Sequence, residues 1–455
     1  MMRAWSLSEL QAPLSAHLSG PDMTVVGVSI DSRSVQAGEL FVALRGENFD
    51  GHNYLQQAKD AGAAAALTSS DSKAALPVLN VEDTQRALGL LGAYNRSSFK
   101  GPLVAITGSG GKTTVKNMVR AVLSQKGCTL ATQGNFNNEV GVPLTLLELA
   151  PEHEFAVVEM GAARVGDISY LVELGRPSVA VLLNAMPAHL ESFGSVEEVA
   201  RTKGEIFDGL VAGDVAIFNA DQVWAGQWRS RAGAARVLDF SLAGSAAVCA
   251  SAVKINGLAG TDFIASTPEG DFPVSLQLPG RHNVANALAA IAVGIACDIP
   301  VADIQRGLSS TAPVAGRLAM TKARGGAALI DDCYNAQPGS VKAAIDLLAV
   351  ADGKRTLVLG AMKELGPGSE ALHVEVAQYA KASGIEQMWG VGDELRAAIS
   401  TFGEGGRFFS NRQAAIESLG DTFGEGDTVL VKGSRSAGME MVLAAIAADK
   451  QAKGD

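Results

Sequence analysis

Short apolar runs that alternate with helical patterns are the most regular feature of the chain. Runs of about four to eight apolar residues, followed by apolar residues at three- and four-residue spacing, indicate strands alternating with helices. The runs lie at 103–106, 155–161, 177–184, 215–219, 327–330, 356–362 and 429–431. Strands of this kind, connected by helices, are typical of a parallel sheet covered on both faces. We therefore predict an α/β fold with doubly wound, mostly parallel sheets.

The chain before residue 86 shows shorter and more polar patterns. They predict strands at 24–30, 63–69 and 75–81, a turn followed by a strand at 37–44, a polar loop at 46–54, and a helix at 55–61 that ends at Gly62. Two loops at predicted strand ends, DSRS and RGENFDGH, concentrate polar side chains that could bind a ligand. These side chains are Ser32, Arg33, Arg45, Asn48, Asp50 and His52. Solvated connections are the usual explanation of such loops, so the sequence alone leaves both readings open.

The length and the patterns together predict three domains. A chain of 455 residues suggests about three domains of ~150 residues each. We place a small α/β domain at 1–85, a central domain with a phosphate-binding loop at 86–314, and a Rossmann-like domain at 315–455. Helices are predicted at 85–98 between the first two domains, and at 340–350, 370–383 and 412–419 in the last.

The segment 103–119 carries the clearest chemical signal. An apolar strand leads into Gly108-Ser109-Gly110-Gly111, then Lys112-Thr113-Thr114, then a helical pattern. Backbone N–H groups of such a turn, with the dipole of the following helix, bind phosphates. Lys112 would reach the terminal phosphates, and the Thr113 hydroxyl would bind magnesium. The first glycine of the strict motif falls on Ile106, so an ordinary glycine-rich turn is the alternative.

Polar residues follow several predicted strands, where ligands bind in open α/β sheets. Glu159 ends one strand and would be a second magnesium ligand, although a strand-end glutamate can be merely solvated. His189 lies shortly after another strand, and a structural role and a ligand role are about equally supported. Lys203 lies in a helical stretch, where a solvated lysine is the ordinary interpretation. A buried lysine would instead have a lowered pKa, and its neutral amine could add carbon dioxide.

Asparagines cluster in two further segments. Asn135, Asn137 and Asn138 lie in one loop, where they either form turns or bind a substrate carboxylate, a peptide or the transferred phosphate. In RHNVAN, helix capping explains one asparagine, and we favour a nucleotide contact for Asn286. Across a cleft, Arg317 and Asp332 could complete an ATP site.

Composition narrows the class of protein. The net charge is −11 and the pI about 5.2, which argues against a general binder of nucleic acid or membrane surfaces. The four cysteines have no paired spacing, so we expect no disulfide framework and no zinc site. Residues 1–18 lack the apolar core of a signal peptide, and the apolar stretch 284–297 fits a buried helix better than a membrane span. We therefore expect a cytoplasmic protein that does not insert into membranes. We also expect a monomer that acts on small molecules.

Taken together, the motifs resemble the Mur ligase family, the ATP-dependent amide-forming enzymes of peptidoglycan precursor synthesis. The resemblance covers nearly the whole chain. Its blocks are TGSGGKTT, GNFNNEVGVPL, EMGA, NAMPAHLESFGS, KGEIF, GRHNVANALAA and DDCYNAQP, in the family's order. YNAQP and GAMKELG are most similar to the members that add D-alanyl-D-alanine to a UDP-N-acetylmuramoyl-tripeptide. Gln337 departs from the usual YNANP, which leaves the role of this position open.

The resemblance implies roles for individual residues. Lys112 and the loop residues would bind the ATP phosphates, and Arg317 the terminal phosphate. Thr113 and Glu159 would hold one magnesium ion, and His189 and a carbamylated Lys203 the second. The other ATP contacts would come from Thr114, Asn286, Asp332, Tyr334 and Asn335. The UDP-substrate would be held by Ser32, Arg33, Arg45, Asp50, Gly51, His52, Asn135, Asn137 and Asn138.

The implied reaction runs through an acyl phosphate. The tripeptide carboxylate would attack the γ-phosphate of ATP, and the amine of D-alanyl-D-alanine would then displace phosphate. Another ligase of the superfamily is the nearer alternative. No Asp-Asn-Pro-Arg stretch typical of the diamino-acid-adding enzyme is present, and a folylpolyglutamate synthase would lack the first domain. A non-catalytic ATP switch is the more distant alternative, and it would not need Glu159, His189 and Lys203 together.

Overall fold

The computed structural model describes residues 3–70, 76–419 and 422–448. Three α/β units follow one another along the chain, and we call them the N-terminal lobe (3–98), the central lobe (103–311) and the C-terminal lobe (316–446). Within the described residues, every helix is too short or too polar to cross a membrane.

The N-terminal lobe is a five-stranded mixed sheet with helices. In spatial order its strands are His17–Ser19, Val78–Asn80, Ala65–Thr68, Glu39–Val42 and Gly27–Ser29, and only the first pair is antiparallel. Two small antiparallel ribbons pair Trp5–Ser6 with Thr24–Val25 and Arg45–Gly46 with Phe49–Asp50. The helices are Leu7–Leu14, the 3-10 turn Gly51–Tyr54, Leu55–Asp60 and Thr84–Ser98.

Three expectations for this lobe need correction. The single strand predicted at 24–30 is wrong, because the chain changes its pairing partner at Val26, whose N–H bonds to the Gly38 carbonyl. The loop expected at 46–54 contains a short strand pair and a 3-10 turn. Of the strand predicted at 75–81, only Val78–Asn80 is extended, and Ala75 lies outside the described residues.

The central lobe is built on a six-stranded parallel sheet. Its strands, in spatial order, are Thr129–Ala131, Phe155–Glu159, Leu103–Thr107, Val179–Leu182, Val215–Phe218 and Arg236–Val237. Its helices are Lys112–Leu123, Gly141–Leu147, Asp167–Gly175, Leu190–Phe193, Val196–Lys203 with the 3-10 turn Gly204–Phe207, Ala225–Arg231, Arg281–Ala296 and Val301–Ser309. Separate apolar cores cover the two faces of the sheet, which explains the continuous apolar runs.

A four-stranded sheet beside the central sheet has no counterpart among the predicted strands. It comprises Phe240–Ser241, Val248–Ile255, Thr261–Thr267 and Gly270–Leu276, and the last three strands are antiparallel. Phe272, Val274 and Leu276 alternate with exposed residues and belong to the same core as helix Arg281–Ala296. This helix is almost entirely buried, as predicted for 284–297.

The C-terminal lobe has a second six-stranded sheet. Its strands, in spatial order, are Ala319–Lys322, Ala328–Asp332, Thr428–Lys432, Arg355–Gly360, Gln387–Val391 and Gly406–Phe409, and only the first pair is antiparallel. The helices are Pro338–Ala349, Ser369–Ala382, Arg396–Phe402, Arg412–Leu419 and Met439–Ile446, with 3-10 turns Gly366–Gly368, Asp393–Leu395 and Arg435–Ala437. The predicted α/β fold with two doubly wound, mostly parallel sheets is confirmed.

Candidate active site

A cavity of about 700 Å³ lies between the central and C-terminal lobes. It is lined by the residues expected to bind ATP and metal: Gly108–Thr114, Glu159, His189, Lys203, Asn286, Arg317, Asp332, Tyr334 and Asn335. These residues come from seven separate stretches of the sequence. The strand-end positions therefore converge as the sheet topology requires.

The phosphate loop is fixed by its neighbours on the sheet. The strand Leu103–Thr107 is fully buried, and the helix begins at Lys112 after Gly111, whose φ is +83°. The Asn184 side chain accepts from the Gly110 N–H at 2.9 Å and donates to the Gly110 carbonyl at 3.1 Å. A Cβ on Gly111 would lie 2.6 Å from Asn286 Oδ1, so only glycine fits. The loop is thus shaped before any ligand binds.

Lys112 lies in a strongly positive part of the cavity. Its ammonium donates to the Gly108 carbonyl at 2.8 Å. Burial lowers the pKa of Lys112, the Glu159 carboxylate opposes that shift, and the Arg317 guanidinium adds to it. Because cations from both lobes repel one another here, an anion such as a phosphate would relieve the repulsion.

Glu159, a candidate metal ligand, contacts several side chains of the cavity region. Its carboxylate accepts from the Thr113 hydroxyl at 2.9 Å and from the Asn137 amide at 2.8 Å. The Lys116 ammonium lies 3.7 Å from the same carboxylate and donates to the Gly134 carbonyl. In the part of the chain that the structure describes, no three His, Cys, Asp or Glu side chains form a metal cluster. Nucleotide-bound magnesium needs only one or two protein oxygens, so Thr113 and Glu159 fit it.

Lys203 is buried with 2% of its surface exposed, so the solvated-lysine interpretation is wrong. Burial, reinforced by the nearby Lys112 charge, lowers the pKa of Lys203 to about 7. Among the described residues its ammonium has no hydrogen-bond or ion-pair partner. A substantial fraction of this amine is neutral near pH 7, which is the condition for addition of carbon dioxide.

His189 contacts the opposite lobe. Its Nδ1 lies 2.5 Å from Glu364 Oε2. Burial lowers the pKa of His189, the Glu364 carboxylate opposes this shift, and the Lys203 ammonium adds to it. His189 therefore lines the cavity and joins the two lobes.

The C-terminal lobe contributes a stacked and paired group. The Arg317 guanidinium lies 4.1 Å from the centre of the Tyr334 ring. The Lys432 ammonium donates to Asp332 Oδ2 at 2.5 Å and to the Asn335 carbonyl at 2.8 Å. Burial raises the pKa of Asp332, and Lys432 acts in the opposite direction. The carboxylate is thus held beside a cation in the cavity wall.

The asparagine segments differ from each other. Asn286 donates to Asn283 Oδ1 at 3.1 Å, and Asn283 donates to the Pro279 carbonyl, so Asn286 is fixed in its place beside Gly111 of the phosphate loop. In the other segment, Asn138 Oδ1 accepts from the Gly141 N–H and Asn137 contacts Glu159. Asn135, Asn137 and Asn138 all line the cavity.

The residues predicted in the N-terminal lobe do not line this cavity. Their side chains mainly pair with near neighbours there: Asp50 Oδ1 lies 2.6 Å from His52 Nδ1, Arg45 pairs with Asp50, and Ser32 donates to Gln57. Two cations were missed from the sequence: Lys432, which lines the cavity, and Lys116, which lies 3.7 Å from the Glu159 carboxylate but does not line the cavity. Lys116 lies one helical turn after Lys112, a spacing that could have indicated a shared face. Lys432 could be found only from its strand's place beside Ala328–Asp332.

Comparisons with known proteins match these observations. Three family models match in order: "Mur ligase family, catalytic domain" at residues 24–96, "Mur ligase middle domain" at 106–294 and "Mur ligase, glutamate ligase domain" at 316–435. The UDP-N-acetylmuramoyl-tripeptide–D-alanyl-D-alanine ligase of Escherichia coli is 45% identical over 444 residues, covering 97% of this chain and 98% of that protein.

Two solved structures show the same arrangement. MurF from Acinetobacter baumannii superposes with a TM-score of 0.92 at 33% identity, over 97% of this chain and 98% of that one. The MurF ligase of Thermotoga maritima in complex with ADP gives a TM-score of 0.82 at 29% identity, over 92% and 96% of the two chains.

Proposed function

The chain belongs to the Mur ligase family, and on that premise we propose that it joins D-alanyl-D-alanine to UDP-N-acetylmuramoyl-tripeptide, giving the pentapeptide, ADP and phosphate. It is an ATP-dependent carbon–nitrogen ligase of peptidoglycan precursor synthesis. The observation that carries this proposal is the single cavity that holds the phosphate loop, Glu159 and Lys203 on one lobe and Arg317 and Asp332 on the other. Support for the substrates comes from the E. coli relative, which is named for this reaction.

The cavity suits the first step, in which the tripeptide carboxylate attacks the γ-phosphate and ADP leaves. Negative charge accumulates on the transferred phosphoryl group. Lys112 and Arg317 would approach it from opposite lobes, and the N–H groups at the start of helix Lys112–Leu123 would face the phosphates. The loop is held in shape by the two hydrogen bonds of the Asn184 side chain to Gly110, so little reorganisation is needed when ATP binds.

In the second step the amine of D-alanyl-D-alanine attacks the acyl carbonyl and phosphate leaves. Both reactants must be held together away from water, since the acyl phosphate would otherwise be hydrolysed. A cavity closed by two lobes provides such an environment.

Magnesium is proposed as the cofactor, held by Thr113 and Glu159 in one site and by His189 and carbamylated Lys203 in a second. Bound magnesium would neutralise the phosphate charge and polarise the transferred group. The proposal is supported by the hydrogen bond between the Thr113 hydroxyl and the Glu159 carboxylate, and by the lowered pKa of the Lys203 amine.

We propose that the three domains, at 1–85, 86–314 and 315–455, bind different reactants. We propose that the first domain binds the UDP moiety through Ser32, Arg33, Arg45, Asp50, Gly51 and His52, while Asn135, Asn137 and Asn138 hold the peptide end near Glu159. The position of the three asparagines in the cavity wall supports the second part. One chain supplies both lobes of the cavity, so a monomer suffices, and the nucleotide substrates point to the cytoplasm.

Phosphate release with varied substrates tests the proposal. The chain would be given ATP with UDP-N-acetylmuramoyl peptides of different length, each with single amino acids or D-alanyl-D-alanine. We expect phosphate release only when the UDP-N-acetylmuramoyl-tripeptide and D-alanyl-D-alanine are both present. Release with a UDP-N-acetylmuramoyl-dipeptide and a diamino acid would identify the diamino-acid-adding ligase. ATP hydrolysis that needs neither substrate would identify an ATP switch.

A further inference from the structure

An ion pair crosses between the two lobes at the edge of the cavity. His189 belongs to the central lobe and directly precedes helix Leu190–Phe193, and Glu364 follows strand Arg355–Gly360 of the C-terminal lobe. The distance from His189 Nδ1 to Glu364 Oε2 is 2.5 Å. His189 lines the cavity, whereas Glu364 does not. Glu364 would therefore affect the reaction by way of His189.

Both partners adopt a backbone conformation that is rare for residues other than glycine. The φ angles are 53° at His189 and 62° at Glu364. Such conformations are strained for residues other than glycine and persist where the surrounding structure holds them, often at functional sites. Two strained residues that face each other across an interface indicate that this geometry is maintained by its surroundings.

Glu364 is presented by a well-anchored segment. The Met362 N–H donates to His373 Nε2 at 3.0 Å, and Lys363 forms an ion pair with Glu394. The Lys363 carbonyl also accepts from the Gln337 amide. The two residues that precede Glu364 are thus tied to the C-terminal lobe through both backbone and side-chain atoms.

Two close contacts beside the ion pair depend on the same approach of the lobes. A Cβ on Gly339 would lie 2.7 Å from Met186 Sδ, and a Cβ on Gly366 would lie 3.6 Å from the Glu191 nitrogen. The central segment 186–191 therefore packs against two separate segments of the C-terminal lobe. The His189–Glu364 pair forms only while the lobes are in contact.

We propose that Glu364 is a positioning residue for His189, and that it orients the imidazole for binding magnesium only when the two lobes meet. A carboxylate can only accept a hydrogen bond, so the pair places the imidazole proton on Nδ1 and leaves the lone pair on Nε2. Carboxylates that orient a functional histidine in this way are worth about 10–100-fold in activity or metal affinity. This inference rests on the proposed function, in which His189 holds the second magnesium ion.

A kinetic comparison tests whether Glu364 acts through His189. Phosphate release would be measured with ATP, the UDP-tripeptide and D-alanyl-D-alanine for E364A, E364Q, H189A and the double variant H189A/E364A. We expect E364A to lower kcat about 10–100-fold with little change in KM for ATP. E364Q should retain more activity because its amide oxygen still accepts from Nδ1. The double variant should be no slower than H189A.

Glu370→Ala is the matched control, because Glu370 is an exposed acid of the same lobe outside the cavity. It should behave as the wild type. Glu364 is itself 54% exposed, so E364A is expected to fold, and its unfolding temperature checks this. Additive losses in the double variant, or wild-type kcat in E364A, would overturn the inference.

A second measurement does not depend on activity. The chain has six histidines, so ¹⁵N-histidine labelling gives a spectrum in which H189A identifies the His189 signals. At pH 8 the wild type should show His189 protonated on Nδ1, and E364A should shift it towards the Nε2 form. If His189 is already in the Nε2 form in the wild type, the inference is wrong. If His189 of the wild type is protonated on Nδ1 but binds no magnesium, the result would instead contradict the proposed function.

Discussion

The Thr113 hydroxyl donates a 2.9 Å hydrogen bond to Glu159 Oε2, which joins the first turn of the phosphate-loop helix to the end of the neighbouring strand. Two oxygens from different elements are thereby held together beside Lys112. This pairing gives the proposed magnesium site its first two protein ligands. The same carboxylate also receives Asn137, so the site and the asparagine loop are connected.

Glu159→Gln should raise the magnesium concentration needed for half-maximal phosphate release. The amide keeps the shape but loses the charge, and one charge-assisted contact of ~1.5–3 kcal/mol corresponds to about a tenfold to hundredfold change. Glu154→Gln, at the opposite end of the same strand, should leave the magnesium titration unchanged. An unaltered titration in Glu159→Gln would remove this residue from the metal site.

Lys112→Ala should abolish ATP turnover while leaving binding of the UDP-substrate largely intact. The ammonium lines the cavity and would stabilise the negative charge that develops in phosphoryl transfer, whereas the UDP-binding residues are proposed to lie in another lobe. Turnover is measured as phosphate release, and UDP-substrate binding by calorimetry. Lys100→Ala, at an exposed lysine, is the control. Near-normal turnover in Lys112→Ala would defeat the proposed mechanism.

The strand pattern could be predicted from sequence because buried parallel strands leave continuous apolar runs. Helix Arg412–Leu419 matches its prediction residue for residue. The sheet at 240–276 was missed because its alternating residues resemble solvated segments until their buried face is known. The pairing change at Val26 depends on Gly38, which local alternation does not reveal.

The site could be predicted as far as residues mark strand ends and loops. Glu159 and Lys112 are local signals of that kind. The Lys432–Asp332 contact joins residues 100 positions apart, and it exists because their two strands are neighbours in the sheet. The burial of Lys203 and the pairing of His189 with Glu364 likewise arise from packing between elements, which one sequence does not contain.

Gly111→Ala should lower kcat/KM for ATP by about tenfold or more, because a positive φ costs a side chain ~1 kcal/mol or more and the new Cβ would meet Asn286 Oδ1 at 2.6 Å. Gly110→Ala is the matched control in the same loop. Its φ is not positive, and its Cβ would meet only the flexible end of Met186 at 3.1 Å. Equal losses in the two variants would show that conformation at residue 111 is not the cause.

Activity should fall as the pH falls through about 7, because Lys203 has a pKa of about 7 in the folded chain. Below that value the amine is protonated and cannot add carbon dioxide. Above it the neutral amine can form the carbamate, so added bicarbonate should raise the activity. A carbamate carbon should appear in the ¹³C spectrum with labelled bicarbonate, and Lys203→Met should lose both effects. Lys126→Met, at an exposed lysine, should keep them.

The same lysine predicts how stability depends on pH. Its pKa is lowered from 10.5 to about 7 on folding, so between these values the unfolded chain binds more protons than the native one. The free energy of unfolding should therefore rise with pH across this window. Lys203→Met removes the titrating group, so its unfolding free energy should depend less steeply on pH than that of the wild type. Denaturant titrations at pH 7 and pH 9 without bicarbonate measure the difference. If the unfolding free energy changes equally between these pH values in both proteins, the pKa of Lys203 is not lowered by folding.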